Sequence, residues 1–183
     1  MPYEAPDLAN MSLSDIAELV AARKLPPVES WSPQTIGESH MVIAADGTWV
    51  HEGGVIRREA MVRAFAGLLK RDEDGQHWLV TPFEKLTIDV EDAAFIAVDC
   101  ARADDALAFR LNTDDIVIAG PDHPLRAAGT ADEPALYLHV RRGCEARLNR
   151  STWAQLAEIA LAEGAQDNGW QVTSQGATFS LLP

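Results

Sequence analysis

The chain has 183 residues, with 15 Lys+Arg against 28 Asp+Glu, a formal net charge of −13 and an isoelectric point near 4.6. Its length supports one domain or two small ones around a real core, and 47% hydrophobic with 23% charged residues excludes a disordered or fibrous chain. The acidic excess excludes a general binder of DNA, RNA or anionic membrane, since all of these are polyanions.

Ser12, with Asp15 three residues on, has capping-box spacing and opens an amphipathic helix over about 13–24 that Pro26-Pro27 ends. A connector over 29–39 leads to an apolar strand at 40–45. Asp46-Gly47 is a hairpin signal with 48–51 as the returning strand, and Gly53-Gly54 turns the chain again into 55–57. Met61, Val62, Phe65, Leu68 and Leu69 form one stripe at helical spacing, which predicts a helix over 59–70. Asp72 to Gly75 makes an acidic turn before a strand at 77–81. Strands follow at 86–90, 94–101, 106–111, 115–119, 135–141 and 145–149, with 121–134, flanked by prolines, as the longest loop. Ser151 is the expected cap of a helix over 152–162, and strands at 169–173 and 177–182 close the chain.

Two stretches share the order strand, Gly turn, strand, helix, turn, strand. Arg58/Arg150, Leu69/Leu161, Trp78/Trp170, Val80/Val172 and Thr81/Thr173 are each separated by 92 residues, and Val50/Val140 and Gly53/Gly143 by 90. The pattern predicts an α+β fold of duplicated strand-hairpin-helix-strand units in two packed halves, 1–85 and 86–183, with ligand pockets favoured between halves.

No run reaches the roughly 18 apolar residues of a membrane helix, and MPYEAPDLAN lacks a basic stretch followed by an apolar one, so a cytoplasmic protein is expected. Cys100 and Cys144 make no disulfide framework, and the five histidines form no metal-ligand pattern. Phosphate-loop, dinucleotide-loop and nucleophile-elbow motifs are absent, so no catalytic residue, metal or cofactor is expected. Cys144 stands near Arg142 and Arg147, which favour a thiolate, yet a lone thiol on a strand reads as inert packing.

The basic residues are uneven. Within 57–71 and 141–150, nine cations and two glutamates give a net +7. Strand alternation puts Arg58 on the face of Ile56 and Arg150 on that of Leu148, so both guanidiniums are expected near the core side of a strand-to-helix junction. A buried guanidinium keeps its proton and needs an anionic or strongly polar partner. One partner is a carboxylate such as Glu84, or backbone carbonyls, making both arginines structural clamps. The other is a phosphate or carboxylate of a ligand held between the halves. Arg57, Arg141, His51 and Thr81 complete the candidate ligand-binding set. His51 and His77 lack a nucleophile or carboxylate at short spacing and read as structural. The tryptophans read as core, although each offers a stacking face.

Three ordered stretches carry a resemblance: Ala45-Asp-Gly-Thr-Trp49 with Gly54-Val-Ile-Arg57-Arg58; Lys70-Arg-Asp-Glu-Asp-Gly75 with His77-Trp-Leu-Val-Thr-Pro82, Glu84-Lys85 and Val90-Glu-Asp-Ala93; and Val140-Arg-Arg-Gly143 with Glu145-Ala146 and Leu148-Asn-Arg150. Together they resemble a bacterial family catalogued as domain of unknown function 1285, over about residues 30–165. The resemblance implies a core built by duplication, a C-terminal half like a pleckstrin-homology barrel, a nucleotide-type ligand between the halves and a role in signalling. Where the family pattern favours a hydrophobic residue after Gly143, this chain has Cys144. Three functions are thus open: a non-catalytic binder of a small anionic ligand, a protein-interaction adaptor using the pleckstrin-homology-like half, and, least supported, a hydrolase or transferase.

Overall fold

The computed structural model describes residues 5–183; residues 1–4, at the head of the stretch read as having no leader pattern, lie outside the described residues. Helix α1 (Leu13–Ala22) has the expected capping box: Ser12 Oγ accepts from Asp15 N–H and the Asp15 carboxylate accepts from Ser12 N–H. Two compact units divide the chain. The first comprises 24–95 and 140–145; the second comprises the residues up to Arg23 with 96–139 and 146–183.

The first unit holds a six-stranded sheet in the order β3-β2-β1-β6-β5-β4. Its strands are β1 (Thr35–Ile43), β2 (Trp49–His51), β3 (Gly54–Val55), β4 (Leu69–Arg71), β5 (His77–Val80) and β6 (Glu84–Val90), and α2 (Glu59–Ala66) joins β3 to β4. All neighbours pair antiparallel except β1 and β6, which run parallel with a bulge between Glu38 and Val42. His40 takes a φ of 58° at that bulge. The domain boundary read at 85/86 falls inside β6.

One prediction fails in this unit. The helix expected over 59–70 stops at Ala66, because Leu69 is needed opposite Leu79 in the β4–β5 ladder, where it is fully buried. Helical spacing at Leu68 and Leu69 coincides with strand spacing over so short a run. Trp49 is buried as expected and stacks on Phe65 with centroids 6.3 Å apart.

The strands that follow are β7 (Phe95–Ala103), β8 (Ala106–Leu111), β9 (Ile116–Ile118), β10 (Leu125–Gly129), β11 (Pro134–Arg141) and β12 (Cys144–Leu148), all in the second unit except Phe95 and the β11–β12 tip at 140–145. These form a sheet in the order β10-β11-β12-β7-β8-β9. Helices α3 (Arg150–Ala162) and α4 (Ala165–Asn168) follow, then the two-stranded sheet β13 (Gln171–Ser174) and β14 (Ala177–Ser180). The loop expected over 121–134 therefore contains a strand. Its Ala127-Ala128-Gly129 stretch has weak strand propensity, and only the ladder with β11 defines it. The cap of α3 is also corrected: Asn149 Oδ1 accepts from Thr152 N–H at 2.9 Å, and Ser151 lies inside the helix.

The fold is α+β with two similar six-stranded sheets, one curled into a half-barrel, as duplication requires. Local geometry agrees. Glu52-Gly53 and Arg142-Gly143 are both two-residue hairpin turns with positive φ at each position, at the pair of sites 90 residues apart.

Candidate functional site

The strongest site lies in the second unit, where three successive strands meet the start of α3. Arg126 on β10 stands opposite Tyr137 on β11, with its guanidinium 4.5 Å from the ring centroid. Arg147 on β12 approaches the same ring at 5.5 Å and donates to Tyr137 Oη at 3.3 Å. An aromatic quadrupole lets two cations share one platform that bare charge would split.

Beside this platform opens a groove of about 840 Å³, in the size range of small-molecule sites. Tyr137, Arg147, Arg150 and Trp153 line it, with Leu148, Pro134 and Leu182 as apolar wall. Asn149 N–H donates to Ala97 O at 3.1 Å, so the helix that carries Arg150 and Trp153 is pinned to the sheet at its first turn. Arg150 and Trp153 are spaced i, i+3 and therefore neighbours on the helix surface. The Arg150 side chain has no hydrogen-bond or ion-pair partner among the described residues, and Trp153 Nε1 is a buried donor without an acceptor.

The remaining wall is the β10–β11 turn. Thr130 N–H donates to Glu133 O at 3.2 Å and Thr130 Oγ1 accepts from Glu133 N–H at 3.1 Å. Gly129 has a φ of 80°, and a Cβ there would sit 2.4 Å from Glu133 O, so only glycine fits. The turn thereby presents Asp132 and Glu133 to the groove.

The predicted site residues divide. Arg150 is in the groove, but it is exposed rather than on the core side, and so is Arg58. Alternation failed at both because each side chain sits at a helix start: Arg58 is the N-cap of α2 and Arg150 the first residue of α3. Among the described residues neither Arg58 nor Arg150 meets a carboxylate, so neither is clamped by Glu84. Arg57 and His51 are exposed in the first unit. Thr81 Oγ1 accepts from Phe83 and Glu84 N–H, closing the turn into β6. Arg141 donates to Ala66 O at 3.2 Å, with its guanidinium 5.0 Å from the Phe95 ring.

The structural clamp is a different arginine. Arg142, only 6% exposed at its side chain, donates to Glu29 Oε1 at 2.5 Å, Pro26 O at 2.7 Å and Gly67 O at 2.7 Å. The Arg142 hydrogen bond holds the Glu29 carboxyl below its ordinary value. Cys144 is buried, and burial pushes its thiol up to about 12 despite Arg141 and Arg142, as it does for Cys100. Both thiols are inert packing.

Tyr137, Arg147, Asp132 and Glu133 were not singled out from sequence as site residues. The only signal was the basic run 141–150; Tyr137 and the acidic turn become neighbours of it only through the β10–β11–β12 ladder.

Residues 26–93 match the N-terminal domain, and residues 94–181 the C-terminal domain, of the family described as domain of unknown function DUF1285. The chain belongs to the DUF1285 family. Its two domain matches divide between β6 and β7, one six-stranded sheet to each side. A crystal structure of a DUF1285 family protein from Silicibacter pomeroyi DSS-3 is 38% identical, with a TM-score of 0.77 over 91% of this chain and 94% of that one. A DUF1285 family protein from Shewanella baltica OS155 is 26% identical, with a TM-score of 0.53 over 64% of this chain and 90% of that one. Among curated proteins none matches. No helix of the described residues is long and apolar enough to cross a membrane.

Proposed function

We propose that this DUF1285 protein binds a small anionic, nucleotide-type ligand without turning it over, as a cytoplasmic signalling component, and that Arg150 and Arg147 take the anion. The observation that carries this reading is an unpartnered Arg150 guanidinium in an 840 Å³ groove walled by Tyr137 and Trp153. Guanidinium forks suit phosphate oxygens, the first turn of α3 adds the positive end of a helix dipole, and the aromatic wall suits a planar ring. The −13 net charge repels long polyanions while the local arginines admit a small one. Arg57 and Arg58 offer a further pair of guanidiniums without partners in the first unit.

The test is a thermal-shift panel of nucleoside mono-, di- and triphosphates. A binder stabilises the fold by RT ln(1 + [L]/Kd), about 2.7 kcal/mol at a hundredfold excess over Kd. Arg150→Gln is expected to abolish the shift; no shift with any anion overturns the reading.

An adaptor is the second reading, with its surface on the first unit rather than on the pleckstrin-homology-like half, favoured by Phe83 and Ile36, which are 83% and 66% exposed. The β1–β6 register sets Thr35 beside Glu84, so both side chains stand at one end of the first unit's sheet. An adaptor predicts a protein partner whose binding is lost in Phe83→Ser and kept in Arg150→Gln.

A further inference from the structure

Opposite charges line the groove without pairing to each other. Among the described residues Arg150 has no ion-pair partner and the Asp132 and Glu133 carboxylates have none either, and all three residues line the same 840 Å³ groove. Asn149 caps the first turn of α3, and the Thr130–Glu133 bonds with Gly129 in its left-handed conformation fix the turn that carries the two acidic residues. A basic wall and an acidic wall thus border one groove, each set by its own backbone.

We infer that the ligand of this groove is bipolar: an anionic group on Arg147 and Arg150, and an ammonium, amino or hydroxyl donor group on Asp132 and Glu133, separated by an apolar or aromatic body lying along Tyr137 and Trp153. The inference rests on the anion-binding reading above and adds the chemistry of the ligand's other end. A ligand that is anionic throughout meets repulsion from the acidic turn, so the same carboxylates that recognise a donor group select against polyanionic competitors.

Two probes separate the ends of the ligand. Tyramine phosphate and 4-ethylphenyl phosphate share a ring and a phosphate and differ by one ammonium group. Titration calorimetry of the full chain is expected to show tyramine phosphate binding about fivefold tighter, the scale of one or two solvent-exposed charge pairs. Asp132→Asn with Glu133→Gln is expected to erase that preference while leaving 4-ethylphenyl phosphate unchanged or tighter. Arg150→Gln is expected to weaken both probes. Equal affinities in the unmodified protein overturn the bipolar ligand and leave the anion site standing. Failure of both phosphates to bind overturns the anion site itself.

Discussion

The stretch from the β11–β12 tip to its foot, where α3 begins, carries an arginine at each end, Arg142 and Arg150, and the two ends use them in opposite ways. At the tip, Arg142 is almost fully buried and its guanidinium is consumed by one carboxylate and two carbonyls of the first unit. At the foot, Arg150 is exposed, unpartnered and set against an aromatic groove. Both come from one basic run, and nothing in their immediate neighbours separates them. The difference is one of supply: the tip meets the Glu29 carboxylate and the Pro26 and Gly67 carbonyls, whereas the start of α3 is already satisfied by its own cap, Asn149. An arginine that has no protein partner where it is held is the better candidate for a ligand than one buried in a network.

That contrast is sharpest in stability. Arg142→Ala removes the donor to Gly67 O, one of two donors to Pro26 O and the partner of Glu29, and is expected to cost about 3 kcal/mol, in the range for breaking a buried charge-assisted network. Urea unfolding of the variant measures it; a cost under half of that would show the tip is not a clamp. Gly129→Ala comes next. Its clash with Glu133 O and its strained φ are expected to cost about 2 kcal/mol and to disturb the acidic turn, so the amine preference of the groove should fall with stability.

A smaller effect is expected with pH. Burial, and then the Arg71 charge opposite it in the β4–β5 ladder, lower the His77 pKa from its ordinary 6.5. The folded state therefore binds this proton less readily than the unfolded one, so the contribution to stability is present above 6.5 and is lost as pH falls through that value toward the lowered folded pKa. His77→Gln should flatten the dependence of the unfolding midpoint between neutral pH and the acid side of 6.5. An unaltered slope would assign it to other groups.

The fold was legible wherever short-range chemistry decides it. The Ser12–Asp15 capping box, the hairpins at Asp46-Gly47 and near Gly53 and Gly143, and most strands from 86 to 149 follow from local signals. What escaped depends on distant partners. β10 exists because β11 offers it a ladder, and α2 ends early because Leu79 claims Leu69. The site was legible as a basic run and as Arg150, but its orientation was not. Period-two reasoning carried Arg58 and Arg150 inward, and the switch to helix at those residues turned them out. Tyr137, Asp132 and Glu133 join the groove only through register, which a linear pattern does not encode.

The smallest expected change in stability accompanies the largest expected change in binding. Arg150→Gln removes an exposed cation with no partner, so its unliganded unfolding free energy should stay within about 0.5 kcal/mol of the parent. Calorimetric titration of the parent and of this variant with the nucleotide giving the largest thermal shift tests the central claim directly. The account predicts a measurable Kd in the parent and its loss in Arg150→Gln at unchanged stability. Equal affinity in both would place the anion elsewhere and contradict it.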